Sequence, residues 1–140
     1  MKISARNMLS GKIIEVKKGQ VVAVVKLVLS SGSTVTATIT NESVDNLDLR
    51  VGKDATAIIK ADSVMIGKGN ADLQISARNI IKGKVKKIKE GTVMAGITLD
   101  VGNGNLITAT ITDESVKRLA LRENDEAFAI IKASSVMIGV

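Results

Sequence analysis

The sequence predicts an all-β chain folded as two tandem, OB-like five-stranded barrels, each with one short helix. Three observations carry the prediction. Displacing the chain by 72 positions aligns Lys2–Lys68 with Gln74–Val140 without a gap, and about half of the aligned pairs are identical, as a tandem duplication requires. Within each copy, short runs rich in Val, Ile and Thr are separated by Gly- and Ser-containing turns. Only one stretch per copy carries helix signals.

Taken in order, Gly11 to Val16 and Val21 to Leu29 read as strands joined by the turn Lys17-Lys18-Gly19-Gln20. After the turn Ser30-Ser31-Gly32-Ser33, Thr34 to Thr40 alternates Thr with Val, Ala and Ile and reads as a third strand. The helix follows: Thr40 stands in N-cap position, Glu42 is an acidic first-turn residue, and Val44 and Leu47 lie three apart on one face. Beyond the turn Val51-Gly52-Lys53-Asp54, Ala55 to Ala61 and Ser63 to Ile66 complete the strands of a compact barrel. The expected domains are residues 1–68 and 74–140, with 69–73 as a short Gly-containing linker. Units this small bury little surface alone, so an oligomer is expected.

Composition removes most enzyme mechanisms. The chain has no Cys, His, Trp, Tyr or Pro and a single Phe, which excludes thiol chemistry, imidazole bases, zinc fingers and disulfide staples. The N-terminus has no apolar core of signal-peptide length and no run approaches a membrane span, so the expected location is the cytoplasm and no membrane partner is expected. A formal charge of +6 calls for an anionic partner without specifying which.

Comparing the copies separates exchangeable charge from retained chemistry. Ser10 aligns with Lys82, Glu15 with Lys87, Lys26 with Thr98, and Asp45-Asn46 with Lys117-Arg118, so charge at these places is interchangeable. Three polar clusters are unchanged: Ser4-Ala5-Arg6-Asn7, Thr40 with Ser43, and Lys60-Ala61, matched by Ser76-Ala77-Arg78-Asn79, Thr112 with Ser115, and Lys132-Ala133. Arg and Lys supply positive charge, Ser and Thr supply hydroxyl donors, and a helix start presents backbone N–H groups, all of which suit an anion. Singly, each cluster has an ordinary account: Thr40 as a cap, Lys60 as an edge-strand lysine, Arg6 as a surface arginine, Ser4 or Asn7 as closers of a local turn. Their joint retention, while neighbouring charges scramble, favours a site.

The motifs S-A-R-N, L-x-G-K in the first copy, T-I-T-x-E-S-V-x-x-L and A-I-I-K-A-x-S-V-M-I-G together resemble the Mop or TOBE domain of molbindins, and the tandem pair resembles their two-domain members. The resemblance implies binding of molybdate or tungstate without chemical conversion, for intracellular storage, buffering or delivery, with no cofactor. It also implies a homotrimer of two-domain chains with oxyanion sites between domains of different chains. The family's ligands fall on Ser4, Arg6, Thr40, Ser43 and Lys60, and on Ser76, Arg78, Thr112, Ser115 and Lys132. Many relatives carry Pro-Trp after Lys-Ala, where this chain has Asp62-Ser63 and Ser134-Ser135.

Three other readings are weighed against this one. A nucleic-acid-binding barrel stacks bases on aromatic side chains, and Phe128 is the only aromatic, at a position where the other copy has Thr56. An enzyme would retain its carboxylates, yet Asp45 and Asp48 become Lys117 and Ala120. Gly102-Asn103-Gly104-Asn105 aligns with the first copy's Ser30-Ser31-Gly32-Ser33 and reads as a hairpin turn, not a phosphate loop. A ligand-sensing regulatory module acting through a partner shares the same ligand chemistry.

Overall fold

The computed structural model describes residues 1–70 and 74–140; residues 71–73 of the expected linker lie outside the described residues. The first repeat forms β1 (Asn7–Lys18), β2 (Val22–Leu29), β3 (Thr34–Thr40), α1 (Asn41–Asn46), β4 (Asp54–Ile59), a 3-10 turn (Ala61–Ser63) and β5 (Met65–Gly67). The second forms β6 (Asn79–Glu90), β7 (Met94–Asp100), β8 (Leu106–Thr112), α2 (Asp113–Arg118), β9 (Glu126–Ile131), a 3-10 turn (Ala133–Ser135) and β10 (Met137–Gly139).

β1 is twice the length expected because its two halves pair with different strands. Asn7 to Lys12 run antiparallel to β4, and Gly11 to Lys18 run antiparallel to β2. A bulge between Ile13 and Glu15 shifts the alternation, so that Ile13 is buried, Ile14 is exposed and Val16 turns inward again. β6 repeats the device between Val85 and Lys87. Where β1 crosses β2, a Cβ on Gly11 would meet the Val28 carbonyl oxygen at 2.6 Å, and one on Gly83 would meet that of Asp100 at 2.7 Å. Only glycine allows that approach, which explains its retention in both copies. The run expected over Ala55 to Ala61 stops at Ile59, because Lys60 leads into the 3-10 turn, and the last strand shortens to three residues.

Ala23, Val25, Leu27 and Leu29 point inward from β2 at every second residue, and Val35 and Ala37 from β3 add to one core that also takes Val44 of α1. Each buried Val, Leu or Ile contributes roughly 1.5–3 kcal/mol of burial free energy. The core is continuous across both repeats.

The sheets do not follow the sequence repeats. Their strand orders are β10-β4-β1-β2-β3 and β5-β9-β6-β7-β8, so each repeat donates its last strand to the edge of the other's sheet. Met137 pairs with Ile58 and Met65 with Ile130. Each sheet curls until its exchanged edge strand touches the opposite edge, β10 against β3 and β5 against β8, which gives the barrel. The same pairing lines up Met8, Ile58 and Met137 across one outer face and Ile80, Ile130 and Met65 across the other. Met8, Met137, Ile80 and Met65 are each about half exposed.

The two helices end differently, and the exchange finishes only the second. Lys53 Nζ donates to the Leu47 and Asp48 carbonyls at 2.8 and 3.2 Å, satisfying the C-terminal turn of α1. In the second repeat Asp125 occupies the aligned position, and Lys68, just beyond the exchanged β5, supplies the cation: it donates to the Ala120 carbonyl at 2.8 Å and pairs with Asp125 at 2.9 Å. The hydrogen bond from Lys68, and the one from the Arg122 N–H, hold the Asp125 carboxyl below its ordinary value. No helix among the described residues is long and apolar enough to cross a membrane.

Candidate functional site

Two of the three retained clusters are assembled by one ladder. Asn7 pairs with Ile59 at the end of the β1–β4 register, so Ser4-Ala5-Arg6 on one strand and Lys60-Ala61 on the other leave the sheet side by side. The second repeat does the same through Asn79 and Ile131, bringing Ser76-Ala77-Arg78 to Lys132-Ala133. Ser4, Arg6 and Lys60 are exposed, as are Ser76, Arg78 and Lys132, whereas Ala61 and Ala133 are buried anchors for the 3-10 turns. The two ends differ in one charge: Lys60 Nζ lies 3.7 Å from Asp62, while the aligned residue after Lys132-Ala133 is Ser134.

Asn7 and Asn79 are not open donors. Asn7 is 1 % exposed; its Nδ2 donates to the Thr108 carbonyl at 2.8 Å and its Oδ1 accepts from the Thr108 N–H at 2.7 Å. Asn79, 2 % exposed, holds Thr36 in the same way at 2.8 and 2.7 Å. The local-turn account of Asn7 is therefore replaced by a contact between repeats, in which the amide imitates a strand residue and fills both backbone groups of its partner.

Each arginine reaches over the opposite repeat. Arg6 lines a cleft of about 350 Å³ with Lys87, Lys89, Glu90, Thr98, Thr108 and Thr110. Arg78 lines the matching cleft, about 310 Å³, with Glu15, Lys17, Lys18 and Lys26. In the second cleft Lys26 pairs with Glu15 at 3.5 Å and Lys18 pairs with Asp45, which offsets much of its positive charge. Sequence reasoning overlooked these neighbours, although Lys17 and Lys89, Thr36 and Thr108, and Thr38 and Thr110 are identical between copies and carried the signal.

The third cluster divides its labour. Thr40 Oγ1 accepts from the Ser43 N–H at 3.1 Å, as an N-cap does, and donates to Ser43 Oγ at 2.9 Å. Thr112 and Ser115 repeat the pair at 3.1 and 2.8 Å. The threonine hydroxyl proton is spent inside the pair, so the half-buried serine keeps its own proton to donate outward. Replacing Thr40 by alanine is expected to lower the unfolding free energy by about 1 kcal/mol in a urea titration, through loss of the cap.

Within one chain these hydroxyls stand apart from the cationic cluster of their own repeat. The 3-10 turn after Lys60 packs on β8, and the one after Lys132 packs on β3. Each grip thus rests on the strand that leads to the other repeat's hydroxyl pair. Asn7 holds β8 at Thr108, and Thr112 lies four residues on, about 13 Å along an extended strand.

Against known proteins, the TOBE domain family matches residues 3–66 and 75–138. The molybdenum transport protein ModE of Azotobacter vinelandii is 36 % identical over 140 residues, which is 100 % of this chain and 52 % of that protein. The molybdenum-pterin-binding protein MopA of Rhodobacter capsulatus is 39 % identical over the same span, 53 % of its length, so the chain spans about half the length of these curated relatives. A probable molybdenum-pterin-binding protein of Haemophilus influenzae is 50 % identical over 68 residues, 49 % of this chain and 99 % of that protein. The crystal structure of the cytoplasmic molybdate-binding protein ModG with molybdate bound has a TM-score of 0.97 and 41 % identity, covering 100 % of this chain and 99 % of that one. With both repeats matched almost end to end and two five-stranded barrels laid out as in ModG, this chain belongs to the TOBE domain family as a tandem two-domain member.

Proposed function

We propose that this protein binds molybdate or tungstate and holds it, unconverted, for storage, buffering or delivery in the cytoplasm. The observation that carries the reading is a set of donors kept in both repeats: exposed Ser4, Arg6 and Lys60 with the half-buried Ser43 hydroxyl, and exposed Ser76, Arg78 and Lys132 with the half-buried Ser115 hydroxyl. A tetrahedral dianion has acceptor oxygens only, so it is complemented by groups that donate and carry positive charge. Charge-assisted bonds of this kind are worth roughly 1.5–3 kcal/mol each. Thr40 and Thr112 act one step back, orienting the serines. ModG, 41 % identical over the whole chain and solved with molybdate bound, supports the choice of ion.

Each site in this reading is completed by another copy of the chain. The cationic end and the hydroxyl pair of a repeat lie apart within one chain, and the outer rows through Met8 and Met137 and through Ile80 and Met65 leave apolar surface to cover. A trimer places the hydroxyl pair of one chain against the cationic end of the next. The match to half of ModE supports a second reading, a ligand-sensing module acting through a partner, with the same ion and the same donors.

Native mass spectrometry of the intact chain with molybdate, tungstate and sulfate in turn tests the proposal. Three-chain assemblies carrying molybdate or tungstate in preference to sulfate are the expected species. A chain that stays monomeric and retains none of the three ions would falsify it.

A further inference from the structure

We infer that Asn7 and Asn79 are positioning residues that tie the anion-gripping segment of each repeat to the strand carrying the other repeat's hydroxyl pair, and so couple the two repeats' sites. The inference rests on the oxyanion site proposed above and assigns it residues that do not touch the ion.

Four features point to this role. The two side chains are almost wholly buried, at 1 and 2 %, a placement that asparagine tolerates only when its amide is satisfied. Each amide is satisfied by one residue of the opposite repeat through both its N–H and its carbonyl, at 2.7 to 2.8 Å, which fixes translation and rotation together. Each lies next to the arginine of the grip and directly across the ladder from the residue preceding its lysine, Ile59 or Ile131. And the strand gripped is β8 for Asn7 and β3 for Asn79, the strands that end at the capping threonines Thr112 and Thr40.

The consequence is mechanical. Arg6 and Lys60 are exposed ends with little packing of their own, so their separation is set by where β1 and β4 stop, and Asn7 pins that point to Thr108. Rearranging the grip on loading an ion must move Thr108 or break two partly buried hydrogen bonds. Moving Thr108 shifts β8 and, four residues on, the Thr112–Ser115 pair. The arrangement is reciprocal, since Asn79 does the same to β3 and the Thr40–Ser43 pair.

The test compares Asn7→Ala and the neutral, similarly sized Asn7→Leu, which removes both hydrogen bonds without adding charge, with Leu49→Ala, a buried apolar change beside Val16 and Lys18 at the other end of β1 from Asn7. Amide hydrogen exchange of the ion-free full-length chain is read first and needs no ligand. Both Asn7 variants are expected to speed exchange at 108–112 as well as at the β1 start, while Leu49→Ala does not. Calorimetry with molybdate follows: the Asn7 variants are expected to bind at least tenfold more weakly, with Arg6, Lys60, Ser43 and Ser115 all present, and Leu49→Ala at matched loss of Tm to bind as the parent does. If Asn7→Ala does not fold, Asn7→Leu carries both readouts. Asn7 variants that lose Tm but exchange and bind like Leu49→Ala overturn the inference and leave the oxyanion site standing. A parent chain that binds no molybdate sinks the site, and the exchange result then decides the coupling alone.

Discussion

Replacing both Arg6 and Arg78 by alanine is expected to abolish most molybdate binding while leaving the fold in place. Both side chains are exposed and neither belongs to the core, so their loss opens no cavity. What is lost is a charge-assisted donor worth roughly 1.5–3 kcal/mol at each site, a weakening of about 10- to 100-fold. Titration calorimetry reads the affinity and a thermal melt reads the fold. Unchanged stoichiometry and affinity in the double variant would remove the arginines from the site. Arg6 shares its cleft with Lys87 and Lys89 but also with Glu90, so its removal relieves and forfeits exposed charge contacts together, and a Tm close to the parent's is expected.

Residues 1–68 produced alone are expected to be a two-chain species. In the whole chain β4 is flanked by β1 and by β10 of the other repeat, so the isolated repeat has an open β4 edge and a β5 with no sheet to join. Two copies solve both problems by reciprocal exchange, because β5 and β10 are interchangeable in sequence, Met-Ile-Gly in each. Val64, 2 % exposed in the whole chain, is buried through the same region, and each such side chain contributes roughly 1.5–3 kcal/mol. The Haemophilus influenzae relative, which has the length of one repeat, is consistent with a single repeat existing as a protein. Light scattering and a concentration-dependent melt check the outcome. A stable monomer whose melt ignores concentration would mean that β5 can fold back on its own β4.

The repeat, the order of strands, the helix and its threonine cap were all legible in the sequence, because alternation, turn residues and capping are local signals. The exchange was not. Met65-Ile66-Gly67 and Met137-Ile138-Gly139 are identical, so no side-chain preference says whose β4 or β9 each should join, and the choice depends on three-dimensional reach. Asn7 shows the other limit. An asparagine retained beside an arginine reads as a donor for a ligand, and only its burial against Thr108 reveals that its hydrogen bonds are already made. The grouping of Arg6 with Lys60 came only from the family resemblance and not from local pattern, since it follows from one register pair, Asn7 with Ile59, fifty-two positions apart.

The two ways of finishing the helices carry an implication for heredity. In a dimer of identical chains every substitution appears twice, so a residue such as Asp125 would be forced on both barrels, together with whatever cation it needs. Here the barrels share one polypeptide: Lys53 serves α1 from within its own repeat, while Asp125 and Lys68 serve α2 from opposite sides of the exchange. Covalent fusion has therefore released each half from being a copy of the other, and mutations can accumulate in one barrel and be answered by the strand that visits it.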